Sequence, residues 1–164
     1  MDVISDTDRG RLARLITRLQ EEPERADEIL ASERPGIGAV AGHTIGISGA
    51  GGVGKSTLIS RMLLVLRKES LRVVVLAIDP TSERSRGALL GDRIRMRESY
   101  RDEGVFIRSL ATRGAPEALT VALPAVIRAC SSACELVIVE TAGAGQVDVG
   151  IDRHVDTFVT VVAP

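Results

Sequence analysis

The sequence predicts an α/β fold, a mostly parallel sheet with flanking helices, preceded by a short helical N-terminal segment. Two nearly unbroken apolar runs, Leu71 to Asp79 and Glu135 to Thr141, suit strands buried on both faces, as a parallel sheet requires. Stretches with helical spacing of apolar residues alternate with such runs, the pattern of strands joined by helical crossovers. A glycine-rich turn, residues 49–57, stands between a strand pattern and a helix pattern.

In chain order, residues 8–20 read as an amphipathic helix with Leu12, Ala13, Leu15, Ile16 and Leu19 on one face. Pro23 suits the first turn of a second short helix carrying Ala26, Ile29 and Leu30. The Pro35-Gly36-Ile37-Gly38 stretch reads as a linker, dividing the chain into a helical segment at 1–40 and a main domain at 41–164. Thr44 to Ser48 suits a short buried strand. Leu58, Ile59, Met62, Leu63 and Leu66 then recur at helical spacing. Residues 80–103 show no clean period, carry Gly87 and Gly91, and read as a long functional loop with partial helix. Gly104 to Ser109 is a third strand. Pro116 opens a helix with Leu119, Leu123, Val126, Ile127 and Cys130 on one face, which Pro124 should kink by removing a hydrogen bond. Asp156 to Ala163 is the last strand.

At 164 residues the chain suits one domain able to bury roughly 70% of its unfolded surface. Tyr100, Phe106 and Phe158 are its aromatic residues, so the core must be aliphatic. A net charge of −1 argues against a nucleic-acid partner. Arginines cluster between Arg84 and Arg113, but Lys55 and Lys68 are the only lysines among 21 basic residues, so arginine is favoured along the whole chain and the cluster reads first as a solvated face. No apolar run approaches the roughly 20 residues of a membrane helix, and the acidic, polar start is unlike a secretory signal. Cys130 and Cys134 lack the partners of a zinc site and read as small core residues in a reducing cytoplasm.

The turn is a full phosphate-binding loop: Gly49-Ala50-Gly51-Gly52-Val53-Gly54-Lys55-Ser56-Thr57. Glycines let the backbone curl so that successive N–H groups face phosphate oxygens, and the helix opening near Lys55 turns its positive dipole end to the same anion. Lys55 would reach the β- and γ-phosphates, and the Ser56 hydroxyl would ligate Mg²⁺. The main domain is thereby a P-loop nucleotide-binding domain, and a nucleoside triphosphate is its expected ligand.

Ligands of such sheets bind beyond the carboxyl ends of the strands. Asp79 and Glu140 close two apolar runs there, where a charge needs a partner; phosphate-bound Mg²⁺ is one, an arginine another. After Glu140, Gly143 is placed to offer its N–H to the γ-phosphate. Gln146 reads equally as the residue orienting the attacking water or as an exposed loop residue.

Several separate segments together resemble one family, the P-loop GTPases that chaperone adenosylcobalamin-dependent acyl-CoA mutases, both the methylmalonyl-CoA mutase-associated type and the GTPase domain of fused isobutyryl-CoA mutase. Besides the phosphate loop, the matching stretches are Asp79 to Ser82, Gly87 to Met96 and Val139 to Gln146. Arg108 to Arg113 looks closer to the fused relative, and the opening helix, Arg11 to Thr17, to the lead-in of the stand-alone chaperones. The resemblance covers about residues 8–164, and its Gly-Asp-Arg-Ile-Arg-Met segment at 91–96 is far more specific than the loop. It implies that Asp79, Asp92 and Glu140 surround Mg²⁺ and its waters. Asp92 would lie in a switch segment, and GTP hydrolysis would gate cofactor loading on the mutase.

The family's guanine-reading Asn-Lys-x-Asp loop and its C-terminal dimerisation segment follow the last strand, whereas this sequence ends at Pro164 and contains no Asn. The expectation is therefore a chain truncated at its C-terminus, with an exposed sheet edge and a homodimer only in a longer form. Two alternatives stay open. One is an ATPase of the partitioning or metal-carrier group, although Ala50 stands where many of those place a lysine. The other is a non-catalytic module that binds nucleotide or mutase.

Overall fold

The computed structural model describes residues 3–33, 42–79, 101–111, 116–141 and 150–163. Helix α1, Asp6–Glu21, begins at Ser5, whose Oγ accepts from the Asp8 N–H at 3.2 Å, and Asp6 and Asp8 complement the positive end of the helix dipole. Pro23 opens a single 3₁₀ turn, Pro23–Arg25, that leads into α2, Ala26–Ser32. There follow β1, His43–Gly49; α3, Lys55–Lys68; β2, Val73–Asp79; β3, Val105–Ala111; α4, Pro116–Ser131; β4, Leu136–Thr141; and β5, Thr157–Val161. Each strand falls within two residues of its expected bounds. Helix α4 runs unbroken through Pro124, held by the burial of Leu119, Leu123, Val126 and Ile127. The expected linker at 35–38 and most of the long loop at 80–103 lie outside the described residues.

The five strands among the described residues are all parallel, in the order β3-β2-β4-β1-β5. Helices α1 and α4 cover one face. The predicted α1 stripe of Leu12, Leu15, Ile16 and Leu19 joins Leu123 and Val126 of α4 and Leu76 and Val139 of the sheet in one core. On the other face α3 sets Ile59 and Leu63 against Ile47, Val75 and Ile138. Burying these aliphatic side chains contributes roughly 1.5–3 kcal/mol apiece, the main force holding the layers together. Both cysteines belong to the first core, and burial pushes their thiols up, that of Cys134 to about 12.

Polar clamps fix the end of the sheet where the strands begin. The Arg72 guanidinium donates to both Glu135 oxygens, the shortest contact being 2.6 Å, and the Arg72 N–H adds a fourth bond at 2.8 Å. These bonds hold the Glu135 carboxyl below its ordinary range. At the start of β5, Asp156 Oδ2 accepts from the Thr44 N–H at 2.8 Å and from the Thr44 hydroxyl at 2.7 Å, setting the register of β5 on β1. With this end pinned, loops at the opposite end are free to serve chemistry.

The chain leaves β1 toward β2 and leaves β4 toward β5, in opposite directions along the sheet. The carboxyl ends of these two adjacent strands therefore flank a topological switch point, where open α/β sheets form a ligand crevice.

Candidate functional site

Strand β1 delivers the glycine loop to that crevice. Gly49, Gly52 and Gly54 adopt φ of 145°, 78° and 101°, a region that L side chains rarely enter. A Cβ at Gly52 or Gly54 would meet nothing within 4 Å, so these two glycines border open space. A Cβ at Gly49 would lie 2.2 Å from the Val161 carbonyl oxygen of β5. Gly49 thus lets the neighbouring strand approach, while Gly52 and Gly54 leave room above the loop.

Gly54 caps α3 without any side-chain hydrogen bond, which leaves the N–H groups of the first turn available to an anion. Lys55, only 6% exposed, folds back across the loop. Its Nζ donates to the carbonyl oxygens of Gly49 at 2.9 Å and Ala50 at 3.0 Å, tying the two sides of the turn together. An ammonium has three donors, so one remains for a ligand oxygen. The loop is held curled by its own lysine.

Ser56, the next residue on α3, donates from Oγ to Glu140 Oε1 at 2.7 Å. Glu140 is buried on β4, level with Ile47 of β1 and Ala77 of β2. One residue on, the Thr141 hydroxyl donates to the Ile47 carbonyl at 3.4 Å. Asp79 ends β2 one position beyond Ile78, which pairs with Thr141, so it lies at the same end of the sheet. Ala50, Gly51 and Thr57 are exposed along the loop and the first turn of α3, and Val53 is half-buried there.

The fold therefore gathers Gly49 to Thr57, Asp79 and Glu140 at one end of the sheet. Asp92, Gly143 and Gln146 lie outside the described residues. Among the described residues no three His, Cys, Asp or Glu side chains cluster as an all-protein metal cage. The Ser56 hydroxyl and the Glu140 carboxylate, in contact beside the glycine loop, are instead oxygen donors of the kind that a hard cation accepts. Sequence reasoning did not find Thr141 and Val161. Their roles depend on which strands lie side by side, and no local pattern encodes that. No helix among the described residues is long and apolar enough to cross a membrane.

A family model described as methylmalonyl-CoA mutase-associated GTPase MeaB matches residues 12–164. A Pyrococcus abyssi protein, provisionally described as a GTPase, is 46% identical over 96% of this chain and 48% of its own length. The fused isobutyryl-CoA mutase of Cupriavidus metallidurans is 43% identical, and the match covers 100% of this chain and 15% of that protein. Among solved structures, a LAO/AO transport system kinase superposes with a TM-score of 0.59 at 26% identity, covering 97% of this chain and 51% of that one. The chain spans about half the length of the stand-alone relatives it matches.

Proposed function

The chain belongs to the methylmalonyl-CoA mutase-associated GTPase family, and from that membership we propose that it binds and hydrolyses GTP with Mg²⁺, acting as a chaperone for cofactor loading and protection of an adenosylcobalamin-dependent acyl-CoA mutase in the cytoplasm. The observation that carries the nucleotide assignment is Lys55, buried across the Gly49 and Ala50 carbonyls at the start of α3, where no side chain caps the helix. A loop already curled and already cationic binds phosphate without first paying for its own ordering.

In this reading the loop N–H groups and the free Lys55 donor hold the β- and γ-phosphates, and Thr57 completes the first helical turn around them. Ser56 and Glu140 would hold Mg²⁺, with Asp79 and Asp92 as further carboxylates. When bound, the cation neutralises charge on the phosphate oxygens as the γ-phosphoryl group leaves. Gln146 orients the water that attacks the γ-phosphorus, and Gly143 offers its N–H to the same group. The bond from the β,γ-bridging oxygen to the γ-phosphorus breaks, giving GDP and phosphate. The match to a fused mutase supports the partner, since a protein that carries this domain within a mutase chain keeps the two side by side.

Calorimetric titration with Mg²⁺ and GTP, with ATP as competitor, tests the assignment. Lys55→Ala removes a charge-assisted contact worth roughly 1.5–3 kcal/mol, so affinity should fall about ten- to hundredfold. A folded Lys55→Ala chain that binds GTP as tightly as the parent would refute it.

A further inference from the structure

The described sheet has two edges, and they are built differently. On β3, Arg108 turns in toward α1, where its guanidinium donates to the Thr17 hydroxyl at 2.8 Å. An inward charge on an edge strand discourages a further strand from pairing there. β5 has no such guard. Its residues, Thr157-Phe158-Val159-Thr160-Val161, include no charge, proline or glycine, and Val162 and Ala163 continue the apolar run. Among the described residues β5 pairs with β1 on one side and with no strand on the other. The Phe158 ring rests on Gly46, where an added Cβ would lie 3.0 Å from its Cδ2, yet Phe158 is 43% exposed and Val162 is 76% exposed.

Unpaired N–H and C=O groups along such an edge are a template for another strand, and β5 is its own complement. We propose that two copies of this chain pair through the outer edges of β5, antiparallel about a two-fold axis beside Val159, so that their sheets become one. A two-fold axis normal to the sheet keeps each side chain on its own face. Val159 then faces its counterpart, Phe158 faces Thr160 and Thr157 faces Val161, and the whole of β5 is paired. Each of these pairs joins β-branched or aromatic residues, a favourable cross-strand combination. Asp156, the charge beside the strand, faces Val162 rather than a second carboxylate. No ion has to be desolvated for the edges to meet. The contact is isologous and closes at two copies. It is independent of the nucleotide reading, and it differs from the C-terminal segment through which the resembled family is expected to dimerise.

Sedimentation equilibrium of the 164-residue chain over about a hundredfold range of concentration should show the mass rising from one copy to two. Thr160→Lys adds a charge at an exposed position opposite Phe158 and should weaken the dimer at least about tenfold, with the melting temperature of the dilute chain unchanged. Mixing Thr160→Lys with Thr160→Glu chains should restore pairing, because unlike charges then lie diagonally across the axis. Val159→Cys tests the register: thiols directly opposite should oxidise to a covalent dimer, whereas Thr160→Cys, displaced from the axis, should cross-link far more slowly. Cys130 and Cys134 are buried with their thiols pushed up, so they stay out of the reaction. A parent chain that remains single throughout, a Thr160→Lys chain that pairs like the parent, or equal cross-linking at the two cysteine positions overturns the proposal. Mass that climbs past two copies would show an open contact in place of a closed pair, and overturns it as well.

Discussion

Ser56 on α3 and Glu140 on β4, 84 residues apart in sequence, share a 2.7 Å hydrogen bond at the carboxyl end of the sheet. The hydroxyl donates and the carboxylate accepts, so the serine oxygen keeps its lone pairs for another partner. Hydrogen-bonded partners of this kind orient a metal ligand and raise its basicity.

Glu140→Gln keeps an acceptor for Ser56 but loses the charge. The expected outcome is a Mg²⁺ requirement raised roughly ten- to hundredfold, with the melting temperature little changed. Nucleotide hydrolysis followed across a Mg²⁺ titration measures it. Identical titration curves for variant and parent would remove Glu140 from the metal site.

What the sequence disclosed followed contact distance along the chain. The loop was legible because Gly49 to Thr57 are consecutive and their backbone chemistry is local. The stripe of Leu12, Leu15, Ile16 and Leu19 was legible because a helix repeats its own face. Glu140 could be read as a strand-end charge, whereas its contact with Ser56 depends on β4 lying beside β1. Phe158, on the last strand, is 43% exposed. An exposed sheet edge was expected from the resemblance, but local pattern does not reveal that the strand β5 pairs with is β1. The approach of Val161 to Gly49 follows from the same pairing and was hidden for the same reason.

The clamp between Arg72 and Glu135 should make stability depend on pH. Arg72 hydrogen bonds lower the Glu135 pKa in the folded chain, so the unfolded chain binds the proton more readily. The stabilisation is then complete above the ordinary carboxylate pKa and is lost as pH falls through the depressed folded value. Glu135→Gln should cost about 1.5–3 kcal/mol at neutral pH, because the ionised acceptor is gone. Urea unfolding of parent and variant should converge in acid. A gap of constant size down to strongly acidic pH would mean that packing, not charge, sets the cost.

Gly49 and Gly54 both have positive φ but should fail differently when replaced by alanine. At Gly49 the new methyl lies 2.2 Å from the Val161 carbonyl oxygen, a backbone atom that can yield only if β5 moves. Backbone strain and collision together should destabilise Gly49→Ala by about 2–5 kcal/mol. At Gly54 nothing lies within 4 Å of the added carbon, so strain alone, about 1–2 kcal/mol, opposes Gly54→Ala. Gly54→Ala should therefore remain folded while losing nucleotide affinity, because the methyl intrudes beside the first turn of α3 where phosphate would sit. Gly49→Ala should lose affinity only in proportion to its lost fold. Urea unfolding and GTP titration on both variants separate the two lesions. If Gly54→Ala binds GTP like the parent chain, the open space above Gly54 is not the phosphate cradle.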